Sequence, residues 1–189
     1  MHENRNGIMS MSTPISSVNA DGIFEPFDID RVPAETFSHG ARFGMSYRCL
    51  SAFGGGAQIT VCTELLAPGK QANQAHYHLL EEEHVLILDG SLTLRLGDKS
   101  FELSPGQYVC FPAGQKVGHA LVNHTSAPCR YLVIGNPQPH DVVVFTDSGR
   151  VSVKLTGESY RKDATMRYWD GVDDGCATEV SPMSISGQN

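Results

Sequence analysis

The sequence predicts an all-β fold, a barrel or sandwich of short strands. Three observations carry this prediction. Short β-branched or alternating runs recur through the middle of the chain, and turn residues bound each of them. A third is the lack of any long amphipathic helical period between those runs.

In chain order, residues 1–22 are polar and read as a disordered tail. Residues 23–44 read as an arm, in which Pro33 splits a short helical or extended piece over 27–39. The barrel is expected over 45–137, with strands at 46–50, 58–66, 84–88, 91–96, 107–111, 119–123 and 131–135. Asp89-Gly90 joins two of these as a tight hairpin, because glycine accepts a positive φ there. Gly97-Asp98 does the same a few residues later, and Pro68-Gly69 and Pro105-Gly106 punctuate the rest. Residues 138–171 form a C-terminal extension with strands at 141–146 and 150–155, and 172–189 read as a second disordered tail. No internal repeat is visible, so a duplicated two-barrel chain is not expected.

The chain's 189 residues suffice for one domain of ordinary size with tails. Its formal charge of −7 repels a phosphate backbone, and no Lys/Arg cluster offsets it, so nucleic acid is not an expected partner. No apolar run approaches the ~20 residues of a spanning helix, so no membrane partner is expected. The first residues lack both a secretory h-region and an Arg-rich transit pattern, and a cytoplasmic location is the default expectation. Cys49, Cys62, Cys110, Cys129 and Cys176 show no C-x-x-C spacing and suggest no disulfide framework. Cys62 and Cys110 fall in β-like runs and are expected to pack as small core residues.

The chemistry concentrates in two segments. His76 and His78 are two apart, which on a strand puts both imidazoles on one face and Tyr77 on the other. Glu83 has the wrong parity for the same strand, so a turn through 79–82 must reset the phase before Glu83 opens the next one. In the second segment His119 opens a strand and shares its face with Leu121 and Asn123. Three imidazoles and a carboxylate can therefore meet inside one barrel. That donor set suits Fe, Mn, Zn, Ni, Co or Cu, whereas calcium and magnesium want more oxygen ligands. Glu81 and Glu82 read as a solvated turn, and His84 and His124 as surface residues of opposite parity. Asn123 has the character of a residue that bonds a turn backbone.

These two segments resemble the two motifs of the cupin superfamily. The first, G-x5-H-x-H-x3,4-E-x6-G, is matched by His76, His78, Glu83 and Gly90, with Gly69 one residue too far upstream. The second, G-x5-P-x-G-x2-H-x3-N, is matched by Gly106, Pro112, Gly114, His119 and Asn123, with two extra residues before the histidine. The resemblance implies a double-stranded β-helix, or jelly-roll, cupin barrel. It implies one divalent transition metal on His76, His78, Glu83 and His119, and a homodimer as the usual assembly. The C-terminal extension resembles that of a branch of bacterial cupins without an assigned activity, its strands pairing at the barrel edge or across a dimer, with Tyr168 and Trp169 packing over a barrel or a neighbour.

A cupin barrel hosts many chemistries, so fold alone names no substrate. The first expectation is a metal-dependent enzyme acting on a small polar metabolite, either a dioxygenase or an isomerase or lyase that uses the metal as a Lewis acid. The second is a non-catalytic module that binds or senses a sugar or small acid. No residue flanking the motifs stands out as a general base.

Overall fold

The computed structural model describes residues 16–172. The tails expected at 1–22 and 172–189 fall largely outside the described residues.

Thirteen strands run through the described residues: β1 (Glu35–His39), β2 (Phe43–Cys49), β3 (Thr60–Leu66), β4 (His76–His78), β5 (Glu83–Asp89), β6 (Leu92–Leu96), β7 (Lys99–Leu103), β8 (Tyr108–Phe111), β9 (His119–Val122), β10 (Cys129–Gly135), β11 (Val142–Phe145), β12 (Arg150–Val153) and β13 (Glu158–Arg161). They form two antiparallel sheets, ordered β1-β2-β3-β10-β5-β8 and β13-β12-β11-β4-β9-β6-β7. Strands from distant parts of the chain alternate between the sheets, which is the expected jelly-roll.

The sheets enclose one apolar core. Leu66, Ile87 and Tyr131 from the first sheet meet Leu92, Leu94 and Leu121 from the second. Burying each such aliphatic side chain contributes about 1.5–3 kcal/mol. Two local devices close the barrel. Gly90 turns the β5–β6 hairpin at φ 74°, and a Cβ there would lie 2.5 Å from the Pro128 carbonyl oxygen, so no other residue fits without backbone movement. Asn123, fully buried, donates from Nδ2 to the Leu66 and Ala127 carbonyls at 2.8 Å each. Its Oδ1 accepts from the Thr125 amide and hydroxyl. It thus ties the end of β9 to β3 and to the turn before β10.

The differences from expectation lie where burial gives periodicity nothing to read. All five residues of β1 and all four of β13 are exposed, and in β7 only Leu103 is buried. Such strands show no apolar alternation. The 27–39 arm holds a 3-10 turn, Ile29–Arg31, followed by β1. The run 46–50 ends one residue early in a four-residue helix, α1 (Leu50–Phe53). Its Phe53 is buried edge-to-face on Phe27, with ring centroids 4.7 Å apart. Tyr168 and Trp169 do not pack over this chain's barrel: they are 84% and 71% exposed and touch each other.

The extension does more than cap an edge. β11 pairs directly with β4, Val143 opposite His78 and Phe145 opposite His76. The short strand carrying two of the candidate ligands is therefore held between β9 and β11.

Candidate metal centre

His76 and His78 lie on β4 with the buried Tyr77 between them, as strand parity requires. His76 is the register partner of His119 on β9. Glu83 opens β5 after the turn through 79–82. Three imidazoles of one sheet thus face one carboxylate of the other.

The Nε2 atoms of His119, His78 and His76 lie 3.1, 3.5 and 3.7 Å from Glu83 Oε2. Their Nδ1 atoms point away. His76 Nδ1 donates to the Gln74 carbonyl at 2.7 Å, and His78 Nδ1 to Asp141 Oδ2 at 2.5 Å. A hydrogen on Nδ1 leaves the Nε2 lone pair free, so both rings present an acceptor to the centre. His119 differs: it donates from Nε2 to Glu83, and its Nδ1 is buried without a partner among the described residues. Its ring lies flat on Phe111, centroids 3.7 Å apart and planes 4° from parallel.

Convergent imidazole nitrogens beside a carboxylate, with two rings fixed from behind, are a donor set that fits a divalent transition metal. The electrostatics agree at Glu83 and His119, while at His76 they favour the protonated ring, whose proton a metal would have to displace. Burial pushes the Glu83 carboxyl up, but the hydrogen bond from His119 and the neighbouring His76 outweigh it and hold Glu83 well below the usual carboxylate range. Burial pushes His76 down, yet Glu83 reverses this and raises it. Burial prevails at His119, with the charges of His76 and His78 adding to it, so His119 is lowered and favours the neutral ring a metal needs.

Asp141, with no exposed surface, lies behind this cluster in the extension. Its Oδ1 accepts from the Leu79 and Leu80 amides at 3.2 and 2.8 Å, fixing the turn that resets the strand phase. Burial pushes its carboxyl up, but the bonds from His78 and Leu80 lower it on balance. Lys154 on the same extension lies 3.5 Å from Asp141 Oδ2 and pairs with Glu81. Glu81 is therefore an ion-pair member whose side chain is only 13% exposed, not a solvated turn residue. Sequence reasoning missed Asp141, because neither its apolar strand context nor its spacing from His78 marks it.

Glu64 was missed too. It lines the same narrow cavity, about 40 Å³, as His76, Glu83 and His119. Its Oε2 accepts from the buried Tyr131 hydroxyl at 2.7 Å. Burial raises its carboxyl to about 7, the Glu83 charge adds to the rise, and the Tyr131 bond opposes it. The signal was faint: one acid on the inward face of an apolar strand, opposite a tyrosine.

Cys110 is a further correction. It is only half-buried and stands opposite His84 in the register of β5 and β8, on the face away from Glu83.

A cupin domain model matches residues 62–135. No curated protein matches the chain. The crystal structure of a cupin-superfamily sugar phosphate isomerase from Silicibacter pomeroyi superposes with a TM-score of 0.67 at 28% identity, covering 77% of this chain and 98% of that one. A candidate sugar phosphate isomerase from Acidithiobacillus ferrooxidans gives 0.67 at 26%, covering 74% and 90%. A polyketide cyclase from Streptomyces resistomycificus shares the fold at 24% identity, with a TM-score of 0.50 over 60% of this chain and 79% of that one.

Proposed function

This chain belongs to the cupin superfamily, and from that premise we propose that it is a metal-dependent isomerase of small carbonyl-bearing metabolites, with sugar phosphates as the first class to try. His76, His78, Glu83 and His119 hold one divalent transition metal in this reading. Such an ion would supply Lewis acidity towards a substrate carbonyl.

One observation carries the reading: a protonatable carboxyl, Glu64, shares the cavity with the imidazole–carboxylate cluster. An isomerisation next to a carbonyl needs a group that takes a proton from one carbon and returns it to its neighbour. A carboxyl raised to about 7 is present in both forms near neutrality. Glu64 takes the proton from the carbon beside the carbonyl, and the C–H electron pair moves towards the carbonyl oxygen. The hydroxyl on that carbon passes its proton to the same oxygen, and Glu64 returns its proton to the former carbonyl carbon, with no net gain or loss of electrons. Tyr131 holds the Glu64 side chain through Oε2. A cavity of about 40 Å³ admits an ion with one or two small ligands, so only the reacting end of a sugar enters.

The same narrowness favours a second reading, dioxygen chemistry, because a cavity of about 40 Å³ lined in part by Val85, Val133 and Phe111 suits a small apolar molecule. Metal analysis of protein purified anaerobically without an affinity tag, beside His119→Ala, separates the two. Manganese, zinc, nickel or cobalt near stoichiometry, with deuterium uptake from D₂O into aldose or ketose phosphates, supports the isomerase. Iron with oxygen consumption and no deuterium uptake selects the oxygenase. A folded barrel without metal sinks both and leaves small-molecule binding.

A further inference from the structure

The outer face of the same sheet carries a second set of donors that the central cluster does not use. His84 follows Glu83 in β5 and points to the opposite face. Cys110 on β8 stands directly across from it. Glu82 immediately precedes β5. One donor atom from each of these three residues lies within 4.8 Å of the other two. His84 Nε2 is 3.0 Å from Glu82 Oε1, with the side chains 25% and 44% exposed. On its far side, His84 Nδ1 is 2.5 Å from the Tyr108 hydroxyl, and the two rings stack with centroids 5.8 Å apart.

We propose that Glu82, His84 and Cys110 form a second metal site on the outside of the barrel, selective for a borderline-soft divalent ion such as zinc. One thiolate, one imidazole and one carboxylate are zinc's own ligand types. Zinc–ligand lengths of about 2.0–2.3 Å imply ligand separations of roughly 3.3–3.8 Å in a tetrahedron, so the three side chains need only small rotations. Exposure on this face leaves the fourth position to water. Calcium and magnesium are disfavoured, since only one donor is oxygen. Tyr108 plays the part that Asp141 plays for His78: accepting from Nδ1–H, it turns the Nε2 lone pair towards Glu82 and Cys110.

On binding, a divalent ion would replace the Cys110 thiol proton with a sulfur–metal bond and release that proton to solvent, with no change of oxidation state. The ion would fasten β8, the terminal strand of its sheet, to β5. It would also hold the backbone on both sides of Glu83 without touching the inner cavity.

The test uses cobalt(II) as a coloured substitute for zinc, added to the full chain under a non-thiol reductant. The central cluster offers only nitrogen and oxygen, so a near-ultraviolet thiolate-to-cobalt charge-transfer band reports a cysteine site. The expected result is that the band appears in the wild type and in His119→Ala, and that added zinc abolishes it. It should vanish in Cys110→Ser and need at least about tenfold more cobalt in His84→Ala. Matching circular dichroism of the metal-free variants shows that they fold. No band at saturating cobalt, or a band intact in Cys110→Ser, would overturn the site whatever the fate of the central cluster.

Discussion

Asp141 Oδ2 lies 2.5 Å from His78 Nδ1, so a residue beyond the cupin-matched segment orients a histidine of the central cluster. The same carboxylate receives two amides of the turn between His78 and Glu83. One side chain thus sets both the rotation of His78 and the approach of Glu83. Asp141→Asn keeps an acceptor for the turn but loses the charge that fixes the His78 tautomer. Metal affinity is expected to fall about 10–100-fold, with little change in melting temperature. Competition against a chromogenic chelator measures it, and unchanged affinity would show that His78 needs no such support.

His76→Ala and His119→Ala each remove one imidazole from the convergent set. Metal content is expected to drop to a small fraction of the wild type in both, with the barrel still folded. His119→Ala also leaves a gap over Phe111, which costs on the order of 1–3 kcal/mol. Binding in the wild type should weaken as pH falls below neutrality, because protonated imidazoles cannot ligate. Full metal content in both variants, by mass spectrometry, would remove these residues from the ligand set.

Glu64 makes stability depend on pH. Its folded value of about 7 lies above its ordinary 4.5. The native state therefore binds the proton more tightly, and this contribution is fully present below 4.5 and lost as pH rises through 7. Glu64→Gln removes the dependence. The variant is expected to match the wild type near pH 4.5 and to exceed it at pH 8 by about 3 kcal/mol. Urea unfolding at the two pH values measures this; an equal difference at both would mean that Glu64 is not held protonated by its surroundings.

The contrast between Glu83 and Glu64 shows what a sequence can and cannot disclose. Glu83 was legible because His76 and His78 share a strand face and the five-residue gap forces a turn before the acid. Those relations are local, as are the Asp89-Gly90 hairpin and the strands with one buried face. Glu64, Asp141 and Lys154 act across strand pairs and turns far apart in the chain: Glu64 meets Tyr131 from β10, and Asp141 meets His78 from 63 residues away. No local period encodes such a meeting. Cys110 failed for a related reason. Parity alone did not say which face of β8 is covered, and its pairing with His84 depends on the β5–β8 register.

Asn123 offers a test of the barrel independent of any metal. It is fully buried and makes four hydrogen bonds, two donated and two accepted. Asn123→Ala would leave the Leu66 carbonyl without this donor in a buried place, at a desolvation cost of about 1–3 kcal/mol, and would release the turn at Thr125. A total loss of roughly 2–4 kcal/mol is expected in chemical denaturation. Asn123→Asp retains an acceptor for Thr125 but offers no amide hydrogens to Leu66 and Ala127, and it adds a buried charge. It should be at least as destabilising near neutral pH and should recover part of the loss in acid, where the protonated carboxyl can donate once. If Asn123→Ala unfolds at the wild-type midpoint, the β9–β10 turn does not depend on this side chain.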